Sequence, residues 1–247
     1  MTQLLSREGK KVPSVTLKYR ENGEWGQITT NELFGKRTVV VFSLPGAFTP
    51  TCSSTHLPRY NELAPVFKQN GVDEVVCISV NDPFVMEEWA KNQECDNVRV
   101  LPDGNGEFTE KMGMLVDKSD LNFGKRSWRY SMLVKDGTIE KMFIEPDKAG
   151  DPFEVSDADT MLHYINKDAV QPDQIALLTR EGCSFCATAK KDLRDAGITF
   201  AEVNLPHTIR TRALGAIAKA GTVPQMFVNG ELIGSSDKVK EWLAARK

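Results

Sequence analysis

The stretch Thr38-Val39-Val40-Val41-Phe42-Ser43-Leu44-Pro45-Gly46-Ala47-Phe48-Thr49-Pro50-Thr51-Cys52 decides the fold. Thr38 to Leu44 is β-branched and apolar and stops at Pro45-Gly46, which predicts a buried strand running into a loop. From Ser53 to Gln69 the period turns helical, with Leu57, Tyr60, Leu63, Ala64 and Phe67 on one stripe and Asn70-Gly71 as the stop. Cys52 therefore stands where a loop passes into a helix. Downstream, Glu74 to Val80 reads as a strand, Pro83 fits a first helical turn, and Phe84 to Lys91 continues it. Val98 to Leu101 is a short strand closed by Pro102-Asp103-Gly104. Arg129 to Val134 and Ile139 to Ile144 flank Lys135-Asp136-Gly137 as a hairpin, and Asp157 to Asn166 reads as a closing helix. The order βαβα then ββα implies an α/β unit with a mostly parallel sheet.

A seam follows. Residues 167–173, within the polar run Asn166 to Gln174, lack periodicity and contain Pro172, as a linker does. Beyond it the theme repeats on a smaller scale. Ile175 to Thr179 is a strand, Cys183 opens a helix to about Ala196, Ile198 to Val203 is a strand, and His207 to Ala220 is helical. Val223 to Val228 and Glu231 to Ile233 flank Asn229-Gly230, a strong hairpin signal. A helix from Ser236 to Arg246, capped by Ser236 or Asp237, closes the chain. The order β-α-β-α-β-β-α is that of a thioredoxin-like unit. The domains expected are thus 1–166 and 174–247.

The chain has 247 residues, enough for both units. Its formal net charge of −3 gives no basic footprint for nucleic acid. No run of some 18 apolar residues offers a membrane span, and Met1 to Lys11 lacks the apolar segment of a secretory signal. Five cysteines, an odd number without framework spacing, point to a reducing compartment, the cytoplasm. There a Cys-x-x-Cys is catalytic or metal-binding more often than structural.

The two cysteine sites differ in design. At Cys52 the unpaired first-turn amides and the helix dipole favour a thiolate, the nucleophilic form. Breaking an O–O bond also drives charge onto the departing oxygen, so donors must be aimed at it. Thr49 places a hydroxyl one turn before Cys52, and Arg129, opening a later strand, can bring a fork of permanent donors. Pro45 and Pro50 stiffen the loop and help keep water out. His56, one turn on, reads as a packing residue or a surface hydrogen-bonder rather than a base, because a thiolate already formed needs none. Cys77 lies among apolar strand residues, and Cys95 looks exposed and incidental. Trp89, Phe48, Phe84 and Phe123 are open between core, pocket wall and subunit contact.

Pro45-x3-Thr49-x2-Cys52 resembles the peroxiredoxin active-site signature. The longer string through Ser53, His56, Leu57 and Pro58, with Arg129 in Arg-Tyr-Ser-Met, resembles the type-V (plant type-II) subfamily over roughly residues 1–166. The resemblance implies that Cys52 is the peroxidatic cysteine, that Thr49 and Arg129 orient and polarise the peroxide, and that Pro45 shields the pocket. It also leaves Cys77 open between an inert thiol and a resolving cysteine, since plant relatives carry a second cysteine near this spacing.

At the back, Arg180-Glu181-Gly182-Cys183-Ser184-Phe185-Cys186 follows a strand and opens a helix. Cys183, nearer the helix start, is the expected attacker, and Cys186, one turn deeper, the resolver. Thr222-Val223-Pro224 fits a cis-proline loop that leaves the Val223 backbone free to pair with an extended peptide. Cys-x-Phe-Cys, Thr-Val-Pro and Gly234-Ser235-Ser236-Asp237 resemble the glutaredoxins over residues 174–247, with Ser184 in place of the usual proline and Ser235 in place of the usual glycine. That likeness implies a glutathione cradle of Arg180, Phe185, Thr222, Val223, Pro224, Ser236 and Asp237. Arg180 would take the glycyl carboxylate, and Ser236 and Asp237 the γ-glutamyl end. The monothiol and dithiol routes both stay open at Ser184. A zinc half-site lacks a second ligand pair, and an iron–sulfur dimer bridged through Cys183 is the other alternative.

The whole chain resembles the bacterial hybrid peroxiredoxin–glutaredoxin fusions, which implies two thioredoxin-fold domains in tandem. The expected function is glutathione-dependent reduction of hydrogen peroxide and small alkyl hydroperoxides, with no bound metal or cofactor. A redox-sensing interaction protein and a general glutathione-disulfide oxidoreductase are the rival readings. A homo-oligomer is also expected: the linker of about nine residues reaches at most roughly 30 Å, so a neighbouring chain could supply Cys183.

Overall fold

A computed structural model describes residues 4–246 of the chain. The chain folds into two compact units, one carried up to Gln171 and the other from Pro172 onward.

In the first unit β1 (Thr16–Glu21) and β2 (Glu24–Thr29) form a separate hairpin, followed by the short α1 (Thr30–Phe34). Thr29 and Glu32 close α1 with a reciprocal capping box. Then come β3 (Thr38–Leu44), a helical segment that ends in α2 (Leu57–Gln69), β4 (Glu74–Ser79), α3 (Pro83–Asn92), β5 (Arg99–Pro102) and α4 (Glu107–Lys111). A small ribbon of β6 (Leu115–Asp117) and β7 (Lys125–Ser127) leads to β8 (Tyr130–Lys135), β9 (Thr138–Ile144) and α5 (Ala158–Ile165).

The main sheet has the order β5-β4-β3-β8-β9, with β3 at its centre. Its apolar sequence follows from that place. Val39 and Val41 face a cluster with Ile78, Phe108, Met132 and Val134, while Val40, Phe42 and Leu44 face one with Leu57, Tyr60, Phe67 and Trp89. Each such side chain, fully buried, contributes about 1.5–3 kcal/mol. Phe42 stacks on Tyr60 at 4.2 Å between ring centroids, which fixes α2 over the strand. The sheet is not mostly parallel: β3–β4 and β4–β5 are parallel, but β3–β8 and β8–β9 are antiparallel. The Asp136-Gly137 hairpin brings both of its strands onto the far side of β3, and a hairpin can only pair antiparallel.

The helix after β3 does not begin as a regular α-helix. Cys52–His56 form one π-helical turn before α2, the kind of local widening that recurs at functional sites.

In the second unit β10 (Ile175–Thr179), α6 (Ser184–Asp195), β11 (Ala201–Asn204), α7 (His207–Ile217), β12 (Gln225–Val228), β13 (Glu231–Gly234) and α8 (Ser236–Ala244) follow in order. The sheet runs β11-β10-β12-β13 over a core of Leu177, Leu193, Met226 and Val239. Neither Ser236 nor Asp237 caps α8. The cap position is Ser235, with no side-chain hydrogen bond, and it follows Gly234, which ends β13 at φ +122°. Among the described residues no helix is long and apolar enough to cross a membrane.

Candidate active site

Register places Arg129. Because β8 is antiparallel to β3 and pairs Tyr130 with Ser43, the residue before β8 lies beside the end of β3, where the Pro45–Thr51 loop begins. Arg129 is 1% exposed and Cys52 is fully buried. Its Nη2 donates to the Cys52 Sγ at 3.6 Å. The same nitrogen lies 2.6 Å from both carboxylate oxygens of Asp151, and Nη1 donates to His56 Nδ1 at 3.0 Å. The guanidinium also packs 5.4 Å from the Phe153 ring centroid. Its Nε is buried with no partner among the described residues.

His56 is fully buried, so the surface alternative for it is excluded. Its tautomer follows from its neighbours. Nε2 faces the Ser156 carbonyl at 3.2 Å, which can only accept, and Nδ1 faces a guanidinium, which can only donate. Burial, and then the Arg129 charge, pull the ring down to about 3, against a weaker opposing pull from Ser156. His56 is thus a neutral relay between Arg129 and the backbone. Ser156 is held in turn by Glu145, a buried carboxylate that accepts from the amides of Glu154, Val155 and Ser156 and from the Ser156 hydroxyl. A chain of contacts thus runs from Glu145 through Ser156 and His56 to Arg129.

His56 carries a pH prediction. Its folded-state value lies below the roughly 6.5 of an unfolded histidine. Its stabilising contribution is therefore complete above about pH 6.5 and lost as the pH falls toward 3, with a slope of up to about 1.4 kcal/mol per pH unit. Urea midpoints of the first unit should drop between pH 7 and pH 5. His56→Gln should flatten that drop, and an equally steep drop in the variant would exclude His56 as its source.

The loop before Cys52 is pinned from outside. Asn81 Oδ1 accepts from the Ala47 amide at 3.0 Å and from the Ser79 hydroxyl at 2.7 Å. Phe48 sits in the left-handed region at φ +62° with half its surface exposed. The Thr49 hydroxyl donates to the Gly46 carbonyl at 2.8 Å, so its lone pairs remain to accept. Pro45 is half-buried and Pro50 exposed. Trp89 is core, donating from Nε1 to the Ser53 hydroxyl at 3.0 Å, whereas Phe48, Phe84 and Phe123 are exposed.

All five cysteines are free. Cys77 is fully buried on β4, and burial pushes its thiol up. Cys95 is not exposed but half-buried against the core, where it donates to the Val98 carbonyl and burial pushes it up to about 11.

In the second unit Cys183 is the N-cap of α6, and its sulfur accepts from the Cys186 amide at 3.2 Å. Burial pushes the Cys183 thiol up, but hydrogen bonds from the Cys186 thiol and amide, the Arg180 charge and the Phe185 amide outweigh it, so the net shift is downward. Burial, and then the neighbouring Cys183, push Cys186 up to about 11. The pair therefore offers one reactive and one protonated sulfur. Val223–Pro224 is cis, and the Val223 carbonyl lies 3.8 Å from the Cys183 sulfur. Arg180, Cys183, Ser184, Cys186, Lys190 and Glu202 line a cleft of about 380 Å³. Phe185 is two-thirds exposed beside them, and Thr222 is exposed. Ser236 is buried and Asp237 exposed, both at the start of α8. Lys190 and Glu202, paired at 2.9 Å, are cleft residues that no motif marked. Among the described residues no cluster of three or more His, Cys, Asp or Glu is placed to hold a metal ion.

These geometries have known relatives. The Redoxin family model matches residues 7–162 and the Glutaredoxin family model residues 175–233. The hybrid peroxiredoxin hyPrx5 of Haemophilus influenzae is 57% identical over 239 residues, covering 97% of this chain and 99% of its own. A Synechocystis peroxiredoxin is 59% identical over 63% of this chain and 89% of its own. Among solved structures, reduced Prx3 from Vibrio vulnificus in complex with hydrogen peroxide is 37% identical with a TM-score of 0.61, covering 65% of this chain and 99% of its own. With a buried cysteine under a guanidinium in the unit that these peroxiredoxins match, and a Cys-x-x-Cys helix start in the unit that glutaredoxins match, the chain belongs to the peroxiredoxins, as a hybrid that carries its own glutaredoxin domain.

Proposed function

We propose that this thiol peroxidase reduces hydrogen peroxide and small alkyl hydroperoxides with glutathione as its reductant. The Cys52 thiolate attacks the near oxygen of the peroxide, and the O–O electron pair leaves on the distal oxygen as hydroxide or alkoxide, giving a Cys52 sulfenic acid. The Arg129 guanidinium stabilises that leaving oxygen, and its unpartnered Nε–H is a donor still free to do so. The Thr49 oxygen, its own proton committed to Gly46, accepts from the peroxide O–H. Pro45 narrows the approach of water.

Glutathione then condenses with the sulfenic acid, releasing water and leaving a Cys52–glutathione disulfide. The Cys183 thiolate attacks the glutathione sulfur and frees Cys52. A second glutathione attacks Cys183–glutathione, which yields glutathione disulfide and restores Cys183. Arg180, Phe185, Thr222, Val223, Pro224, Ser236 and Asp237 hold the glutathione. The cycle runs in the reducing cytoplasm and in a homo-oligomer.

The observation that carries this reading is the paired geometry of the two sulfurs: Arg129 Nη2 donates to the buried Cys52 sulfur at 3.6 Å, and the Cys183 sulfur caps α6 by accepting from the Cys186 amide at 3.2 Å. The test is peroxide consumption by the full chain with glutathione as sole reductant, coupled to NADPH through glutathione reductase. No turnover above the reductase blank would refute the glutathione route.

Attack on a glutathione mixed disulfide uses one protein sulfur, so Cys186→Ser should keep at least about half of the steady-state rate. A loss as complete as that of Cys183→Ser would show that the internal disulfide is obligatory.

A further inference from the structure

Asp151 is the charged group on the solvent side of the peroxide site. It is 41% exposed, yet both its carboxylate oxygens lie 2.6 Å from Arg129 Nη2, the nitrogen that also reaches the Cys52 sulfur. Its position is built. The segment between β9 and α5 is pinned at its base by Glu145, which gathers the amides of Glu154, Val155 and Ser156, while the Glu145 amide donates to the Arg129 carbonyl at 3.1 Å. The Lys148–Glu154 ion pair ties the segment across itself.

The other contacts of the guanidinium add no charge. His56 is neutral and Phe153 is an aromatic face, while the buried Glu145 carboxylate, held by backbone amides behind Ser156 and not by the guanidinium, adds negative charge to the surroundings and none of the opposite sign. Arg129 and Asp151, the charged groups in direct contact, therefore sum to zero, so a Cys52 thiolate beside them brings this contacting set to −1. An uncharged hydroperoxide meets no penalty there. An anionic oxidant approaches Asp151 and the thiolate together, in a site where burial strengthens the repulsion.

We infer that Asp151 is a selectivity-determining residue: its carboxylate offsets Arg129 beside Cys52 and turns the site toward neutral hydroperoxides and away from anionic oxidants. The inference rests on Cys52 as the oxidised sulfur. With hydrogen peroxide the thiolate takes one oxygen and hydroxide leaves. With peroxymonosulfate, a monoanion at neutral pH, the thiolate takes the terminal oxygen and sulfate leaves. The two oxidants thus share a nucleophile and differ in charge.

The experiment is single-turnover oxidation of the reduced full chain by each oxidant at pH 7, followed by stopped-flow tryptophan fluorescence at low and high salt. Asp151→Asn should raise the rate ratio of peroxymonosulfate to hydrogen peroxide on the order of tenfold at low salt. Asp151→Glu should restore the wild-type ratio. In the wild-type protein alone, added salt should raise the same ratio by screening the repulsion, a measurement that depends on no variant. An unchanged ratio in Asp151→Asn, or a parallel fall of both rates, would reduce Asp151 to a prop for Arg129 and overturn the inference. Oxidation at the wild-type rate in a Cys52→Ser control would overturn it from beneath, by removing Cys52 as the reacting sulfur.

Discussion

Replacing Cys52 with serine is expected to lower peroxide reduction by on the order of 10³-fold or more, to the background of the assay. Serine keeps the shape of the side chain but presents a hydroxyl that stays protonated and that peroxide does not oxidise. No other sulfur in the first unit can take over, because burial holds both Cys77 and Cys95 as thiols. The contact from Arg129 Nη2 is also specific to Cys52 among the hydrogen bonds of the cysteines described above. Consumption of hydrogen peroxide, measured directly in solution, checks this, with the circular dichroism of the variant as a test of folding. A folded Cys52→Ser protein that still consumed peroxide at more than a few per cent of the wild-type rate would place the chemistry elsewhere.

Replacing Cys183 with serine is expected to separate the half-reactions. The first unit remains intact, so each chain should consume one equivalent of peroxide in a burst at the wild-type rate. Turnover with glutathione should then fall by about 10²-fold or more, since the variant lacks the sulfur that is shifted toward thiolate, and the sulfur left nearby is Cys186, pushed up to about 11. Mass spectrometry should find glutathione on Cys52 of the stalled protein. Mixing Cys183→Ser chains with Cys52→Ser chains should restore turnover if subunits exchange glutathione between them, as the proposed homo-oligomer allows. Full glutathione turnover by Cys183→Ser alone would remove the second domain from the cycle.

Much of this architecture is legible along the chain, and what is not has physical reasons. β3 and β10 are readable because central strands buried on both faces write uninterrupted apolar runs. β1 and β2 escape notice because their hairpin is separate from the main sheet and most of its residues are exposed or half-buried, which leaves little alternation to detect. β6 and β7 are too short to carry a period. The antiparallel half of the main sheet follows from which edge of β3 the hairpin joins, and a run as uniformly apolar as Thr38–Leu44 is equally compatible with either direction.

The sites divide in the same way. Cys52, Thr49 and Cys183 stand in short local motifs, so their placement at loop–helix junctions can be read directly. The residues that surround Arg129 cannot. His56 meets the Ser156 carbonyl across 100 positions, and Glu145 reaches Ser156 across 11. Asp151 sits between Gly150 and Pro152, in a stretch that reads as an ordinary turn. Asn81 resembles any polar residue at a strand end until Ala47 is found donating to it. Each of these acts through tertiary contact alone, and a single sequence holds no signal for it.

The uneven acidity of Cys77, Cys95, Cys183 and Cys186 bears on how the enzyme ages. A protein that works by being oxidised is bathed in its own substrate, and any cysteine that ionises easily becomes a target for sulfinic and sulfonic damage. Cys77 and Cys95 escape by being kept protonated in the core and against it. Cys186, the expected partner of Cys183, is kept protonated likewise. In the proposed cycle, oxidative wear would then fall on Cys52 and Cys183, the sulfurs that glutathione would reset at each turn. On that cycle, the lifetime of the molecule would be set by how often peroxide finds Cys52 a second time before repair arrives.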